Sequence, residues 1–279
     1  MRLFKFITGA AIIAAAAAPA ESQPPSAGAA LTYADLADLA LTAPVAAHVE
    51  LRKAVPLKRE AAAGVRPGET RFYVEADLIS LIKGPGGLPA RVSYLVDLPN
   101  PPGRRPPRLR GESQHIVLAA TVAGRPGELR LAAPDAQLPF DPATAGRLRD
   151  ILGEASRADA PPPITGIGRA FHVPGALPGE SETQIFLQTA DGRPVSLSVL
   201  RRPGETPLWA VALSEIVDDA AAEPRPETLL WYRLACSLPA ALPAASLAAA
   251  EPGQSEAIRM DYRLVKARLG PCLRNRRPR

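Results

Sequence analysis

Thirty-two of the 279 residues are proline, more than twice the usual ~5%, and most of them lie between patterned segments. Proline fixes φ and lacks an N–H, so it sits poorly inside helices and central strands. Here it divides the chain into short elements. In "LTYADLADLALTAP", Thr32 and Asp35 form a capping box, Leu31 and Leu36 occupy the hydrophobic-staple positions, and Pro44 ends the helix. Five β-rich runs follow: "VAAHVELRKAV", "TRFYVEADLISLI", "ARVSYLVDL", "SQHIVLAATV" and "ELRLAAP". Turn-rich stretches separate several of them, and short strands at this spacing predict a small antiparallel barrel or rolled sheet, OB-like in kind.

A second helix is expected in "FDPATAGRLRDILGEAS", with Asp141 as N-cap, Pro142 in the first turn, and Leu148, Ile151 and Leu152 on its apolar face. Three consecutive prolines make 157–165 the best domain boundary. Beyond it, "ETQIFLQTA" and "RPVSLSVL" flank Asp191-Gly192, a strong hairpin signal, and "PLWAVALSEIV" supplies a third strand. Two helices should close the fold, Glu227–Leu238 and Glu256–Leu269, the latter with Ser255 as N-cap and Gly270-Pro271 as its stop. The fold class is therefore α+β: a β-barrel-like domain at 31–156, then a β-meander with two helices at 166–273. Arg-Pro-Gly-Glu recurs at 66–69, 125–128 and 202–205, each copy reading as a type II turn before a strand.

The N-terminus carries an address. Arg2 and Lys5 precede an apolar stretch from Phe6 to Ala18, and Ala18–Ala20 has the small-x-small form of a signal-peptidase site. The apolar stretch is shorter than the ~20 residues of a membrane span, and no later segment is long and apolar enough. The expectation is a signal peptide at 1–20, a disordered linker at 21–30, and a periplasmic or secreted protein.

Charge agrees with a non-nucleic-acid role. The formal charge is +5, but removing Arg2, Lys5 and the four arginines of the 274–279 tail leaves 27 basic against 28 acidic residues. The basicity belongs to the two ends, not to a folded face that would track phosphates. The tail itself reads as a basic, disordered end.

Export bears on the two cysteines. An even count in an oxidising compartment suggests pairing, so a Cys236–Cys272 disulfide is expected. Free buried thiols or a reactive Cys236 are the alternatives, although Cys236 lies in an apolar helical pattern while reactive thiols need electropositive, accessible surroundings.

Catalytic motifs are absent from the sequence. His48, His115 and His172 have no ligand spacing, no metal-binding motif exists, and no cofactor is expected. "GESQH" and "GESET" break the G-x-S-x-G elbow at its last position, and Ser80–Lys83 matches S-x-x-K without its companion motifs. Ser113 with His115, or Ser181 with His172, could form a hydrolase site only through geometry. Trp209 and Trp231 read as core. The stretch "DLPNPPGRRPPRLRG" presents Arg104, Arg105, Arg108 and Arg110 on a proline-braced loop, a candidate contact for an envelope protein or acidic envelope polymer. The reading that follows is a non-enzymatic binding protein; the alternative is an exported hydrolase with an unrecognised site.

"AAPDAQLPF" at 132–140, "AFHVPG" at 170–175, "ETQIFLQTADGRPVSLSVLRRPG" at 182–204 and "LLWYRLAC" at 229–236 together resemble a group of signal-peptide-bearing bacterial proteins with no assigned activity. The resemblance implies export and a shared architecture, and brings no site residues with it.

Overall fold

The computed structural model describes residues 30–101, 106–213 and 221–276; the expected signal peptide lies outside them. Helix α1 (Tyr33–Thr42) begins at the capping box read from the sequence, with Thr32 Oγ1 accepting the Asp35 N–H and Asp35 accepting the Thr32 N–H. Five strands then close a barrel: β1 (Val45–Pro56), β2 (Glu69–Lys83), β3 (Arg91–Pro99), β4 (Gln114–Val122) and β5 (Arg125–Leu131). Their order is β1-β2-β3-β5-β4, with β4 returning to β1, and every pairing is antiparallel except β3–β5. That closed, five-stranded Greek-key order is OB-like. Its interior holds Val49, Leu51, Phe72, Val74, Tyr94 and Val117, all buried.

A three-residue strand β6 (Gln137–Pro139) adds to β4; it is too short to read from alternation. Helix α2 (Pro142–Ala155) starts at Asp141, whose carboxylate accepts the Thr144 N–H at 2.8 Å. The second sheet has four antiparallel strands, β7 (Ile164–Pro174), β8 (Ser181–Thr189), β9 (Val195–Arg201) and β10 (Leu208–Ala212), in the order β10-β9-β8-β7. The sequence predicts only three, because the glycines and register shifts at Ile164/Gly166 and Ile167/Ala170 hide the alternation of β7. At Gly168 the strands approach closely: a Cβ would stand 3.2 Å from the Phe186 carbonyl oxygen.

Helix α3 (Leu229–Ala235) is shorter than expected. Glu227 takes a positive φ of 57°, which is not helical, and Thr228 becomes the cap. Helix α4 (Pro252–Leu269) begins earlier than expected, because Gln254 Oε1 accepts the Glu251 N–H and Pro252 opens the first turn. Ser255 is therefore an interior residue of α4 and not its cap. Gly270, at φ 71°, ends the helix as expected.

From Leu31 onward the chain packs as one unit. One apolar cluster joins Leu36 of α1, Ile116 of β4, Ile151 of α2, Ile185 of β8, Leu234 of α3 and Val265 of α4. The proline-rich 157–165 stretch thus connects two halves that share a core. Trp209 and Trp231 are both buried in that core, and Trp231 Nε1 donates to the Leu269 carbonyl at 2.8 Å.

Cys236 and Cys272 form a disulfide, S–S 2.05 Å, joining the end of α3 to the segment after α4. The segment after it is not a frayed end as far as Arg276. Arg274 pairs with Asp38 and Arg276 with Asp135, because the acidic side of α1 and the β5–β6 turn offer carboxylates at the right reach. Residues 277–279 lie outside the described residues. Among the described residues, no helix is long and apolar enough to cross a membrane.

Candidate partner-binding groove

Two groupings named from the sequence as conceivable hydrolase sites have defined geometry. Ser113 Oγ lies 3.1 Å from His115 Nε2, but its hydroxyl proton goes to the Arg110 carbonyl oxygen at 2.7 Å. The Ser113 hydroxyl is thus engaged on the main chain, whereas a hydrolase nucleophile gives its proton to a base that a third group orients. Burial lowers the His115 pKa, and no carboxylate bonds its other ring nitrogen.

The second grouping links residues other than those expected. His172 Nδ1 meets Thr183 Oγ1 at 2.8 Å, not Ser181, and Thr183 donates onward to Asp261 Oδ2. Asp261 is 1% exposed, and its Oδ1 accepts two bonds from Arg201. Thr183 spends its proton on Asp261, so His172 donates from Nδ1. The network satisfies a buried carboxylate and fastens α4 to the sheet, a structural arrangement. His48 stacks on Phe140 at 3.7 Å and bonds Gln114 at 3.0 Å. Among the described residues, no His/Cys/Asp/Glu group could hold a metal ion.

The barrel has one weakly closed seam. Among the described residues, β3 and β5 pair only at Ser93–Glu128 and Tyr94–Leu129, and beyond those residues no described strand partners them across the gap. A groove of about 480 Å³ lies over the paired stretch and is lined by Tyr73, Leu95, Arg125, Glu128 and Arg130. A second groove, about 350 Å³, continues past Leu95, Asp97, Arg130 and Ala133.

The sequence places these side chains by the period-2 alternation of strands. Val92, Tyr94 and Val96 point into the barrel and are buried; Ser93, Leu95 and Asp97 point outward. Leu95 is 46% exposed and stands opposite Tyr73, while Asp97 opposite Arg71 forms a two-pronged ion pair at 2.7 Å. Asp97 in turn holds the Arg71 pKa above its ordinary value. Arg125 pairs with Glu128 at 3.0 Å. Arg130 is exposed and makes no ion pair among the described residues. The groove thus combines an apolar wall, open main chain and one uncompensated guanidinium.

The middle Arg-Pro-Gly-Glu copy, at 125–128, belongs to this seam. Copies at 66–69 and 202–205 are turns, with Glu69 N–H bonding the Arg66 carbonyl and Glu205 N–H the Arg202 carbonyl. The copy at 125–128 lies within β5. Gly127 is required there at φ 81°, and its Cβ would fall 2.8 Å from Pro89.

Of the basic loop named from the sequence, Arg104 and Arg105 lie outside the described residues. Arg108 and Arg110 are exposed, and the loop is anchored between them by Leu109 on the barrel core. The seam residues Leu95 and Arg130 were not singled out from the sequence, since only the non-local pairing of β3 with β5 brings them together. Compared with known proteins, the chain matches no family model and no curated protein.

Proposed function

We propose that this is an exported, non-enzymatic binding protein, periplasmic or secreted, whose barrel wall receives part of an envelope partner in the β3–β5 seam. The observation that carries the reading is the open seam itself: exposed Leu95, Arg130 and the Asp97 stretch of β3, which has no strand neighbour on that side among the described residues, line one groove. The Cys236–Cys272 disulfide suits an oxidising compartment, in agreement with the signal-like N-terminus. The engagement of the Ser113 hydroxyl by the Arg110 carbonyl speaks against the hydrolase alternative.

A photo-cross-linking side chain at position 95, in the full chain expressed in cells, tests this. The reading expects a discrete adduct at 95 that is lost on Arg130→Glu and absent when the cross-linker is placed at the exposed Met260. Equal capture at both positions, or capture indifferent to Arg130→Glu, contradicts it. Labelling of Ser113 by a fluorophosphonate would instead restore the hydrolase alternative.

A further inference from the structure

We infer that the occupant of the seam is an extended acidic polypeptide segment, added as a strand to the free edge of β3 with a carboxylate against Arg130. This rests on the binding reading above and names its partner chemistry. The phase of the main chain defines which edge of β3 is free. The Asn100 N–H bonds the Gly68 carbonyl at 2.7 Å and the Leu78 N–H bonds the Ala90 carbonyl at 2.8 Å. Residues opposite one another in an antiparallel ladder alternate between bonded and non-bonded pairs, so even-numbered residues of β3 turn their main chain toward β2. Odd-numbered residues turn theirs toward the seam.

Pairing with β5 ends at Tyr94–Leu129. The Leu95 carbonyl, the Asp97 N–H and carbonyl, and the Pro99 carbonyl therefore face a gap that no strand of the described residues fills. Donors and acceptors repeating every second residue, about 6.6–6.8 Å apart, match the main chain of another extended polypeptide. Strand addition to an exposed edge is an established recognition mode. A sugar or a nucleotide backbone does not offer amide donors at that repeat.

Side chains then select the sequence. Tyr73, Leu95 and Leu131 give an apolar strip for one residue of the incoming strand. Asp97 is neutralised by Arg71 and Arg125 by Glu128, which leaves Arg130 as the surplus charge and favours an acidic neighbour. One surplus guanidinium, on a body with nearly balanced charge, is far short of the several phosphate contacts that nucleic-acid binding uses.

The test uses the intact protein and a synthetic capped peptide, Thr-Val-Glu-Val-Thr, followed by NMR titration. Two isomers carry N-methyl groups on alternate amides, so that each blocks one edge of the extended peptide. Only one edge faces β3, so one isomer should bind at least tenfold more weakly than the parent and the other should retain most of its affinity. The glutamine version should bind several-fold more weakly to the native protein, and no more weakly than the glutamate version to Arg130→Gln. Equal binding by both N-methyl isomers overturns strand addition. An unchanged glutamate preference in Arg130→Gln overturns the charge assignment, and no binding by any peptide up to about 1 mM overturns the inference as a whole. If position 95 captures a partner in cells while these peptides fail, the binding reading survives and the strand-addition inference does not.

Discussion

Arg276 donates its main-chain N–H to the carboxylate of Asp35 at 3.1 Å, across 241 residues of sequence. The neighbouring Asn275 N–H reaches the other oxygen of the same carboxylate at 2.9 Å, alongside the Thr32 N–H at 3.0 Å. One buried side chain of α1 therefore caps its own helix and holds the C-terminal segment. Asp35→Ala should cost about 1–3 kcal/mol for each buried N–H left unpartnered. It should also expose the bonds after Arg274 and Arg276 to trypsin under native conditions. A tail as resistant in the variant as in the native chain would contradict this role.

The disulfide closes a loop with a sequence separation of 36 residues. Loop-closure entropy for that length corresponds to about 3–4 kcal/mol. Cys236→Ser and Cys272→Ser should each lower the melting temperature, and reductant should bring the native protein down to the same value. Melting unchanged by either treatment would mean that the cross-link does not constrain the unfolded chain.

Asp261 and Arg201 form a buried pair, with Arg201 about one-third exposed. Removing one partner of a buried pair costs about 3–5 kcal/mol, and the exposure of Arg201 places the expectation for Asp261→Ala toward the lower figure after allowance for solvent screening. Adding Arg201→Met should recover part of the loss, because the stranded charge is gone. A double-mutant cycle by urea unfolding checks this; strictly additive losses would argue that the two residues act independently.

Stability should fall in two steps as pH drops. Burial lowers the His115 pKa in the folded state, so below its ordinary value of 6.5 the unfolded chain takes up a proton that the folded chain resists. Its contribution is present above 6.5 and is lost as pH falls through the folded value. Burial of Asp38 works to raise its pKa, but hydrogen bonds from Arg274 and Tyr232 prevail and hold it below 3.8. Its contribution is full above 3.8 and is lost as pH falls further. Urea midpoints in His115→Gln should be flatter as pH falls below 6.5 than in the native protein, with the loss below 3.8 retained. An unchanged slope would remove His115 from the account.

Legibility in the sequence followed the range of the interactions. Thr32 with Asp35, Asp141 with Thr144, and Gly270 act within a few residues of themselves, so the starts of α1 and α2 and the end of α4 could be read directly. The five barrel strands could be read because β2 and β3 alternate while β1 and β4 are short apolar runs bounded by turn residues. Strand β7 could not, because its glycines serve close backbone approach and register shifts, and neither leaves a periodic trace. The cap of α4 competes between Ser255 and Glu251, and the reciprocal bond from Gln254 decides it. The seam lay furthest from view: Leu95 and Arg130 are unremarkable in their own strands and become neighbours only when β3 meets β5. The turn motif at 125–128 pointed the wrong way there, since closure of the barrel recruits it into β5.

The most direct measurement of the central claim is amide hydrogen exchange at residues 96–98 in the free protein. Val96 and Leu98 bond toward β2 and should be protected, while the Asp97 N–H faces the open seam and should exchange rapidly, then slow when the acidic peptide is bound. Protection of Asp97 equal to that of Val96 and Leu98 in the free protein would mean that the seam is already closed, and would contradict the account.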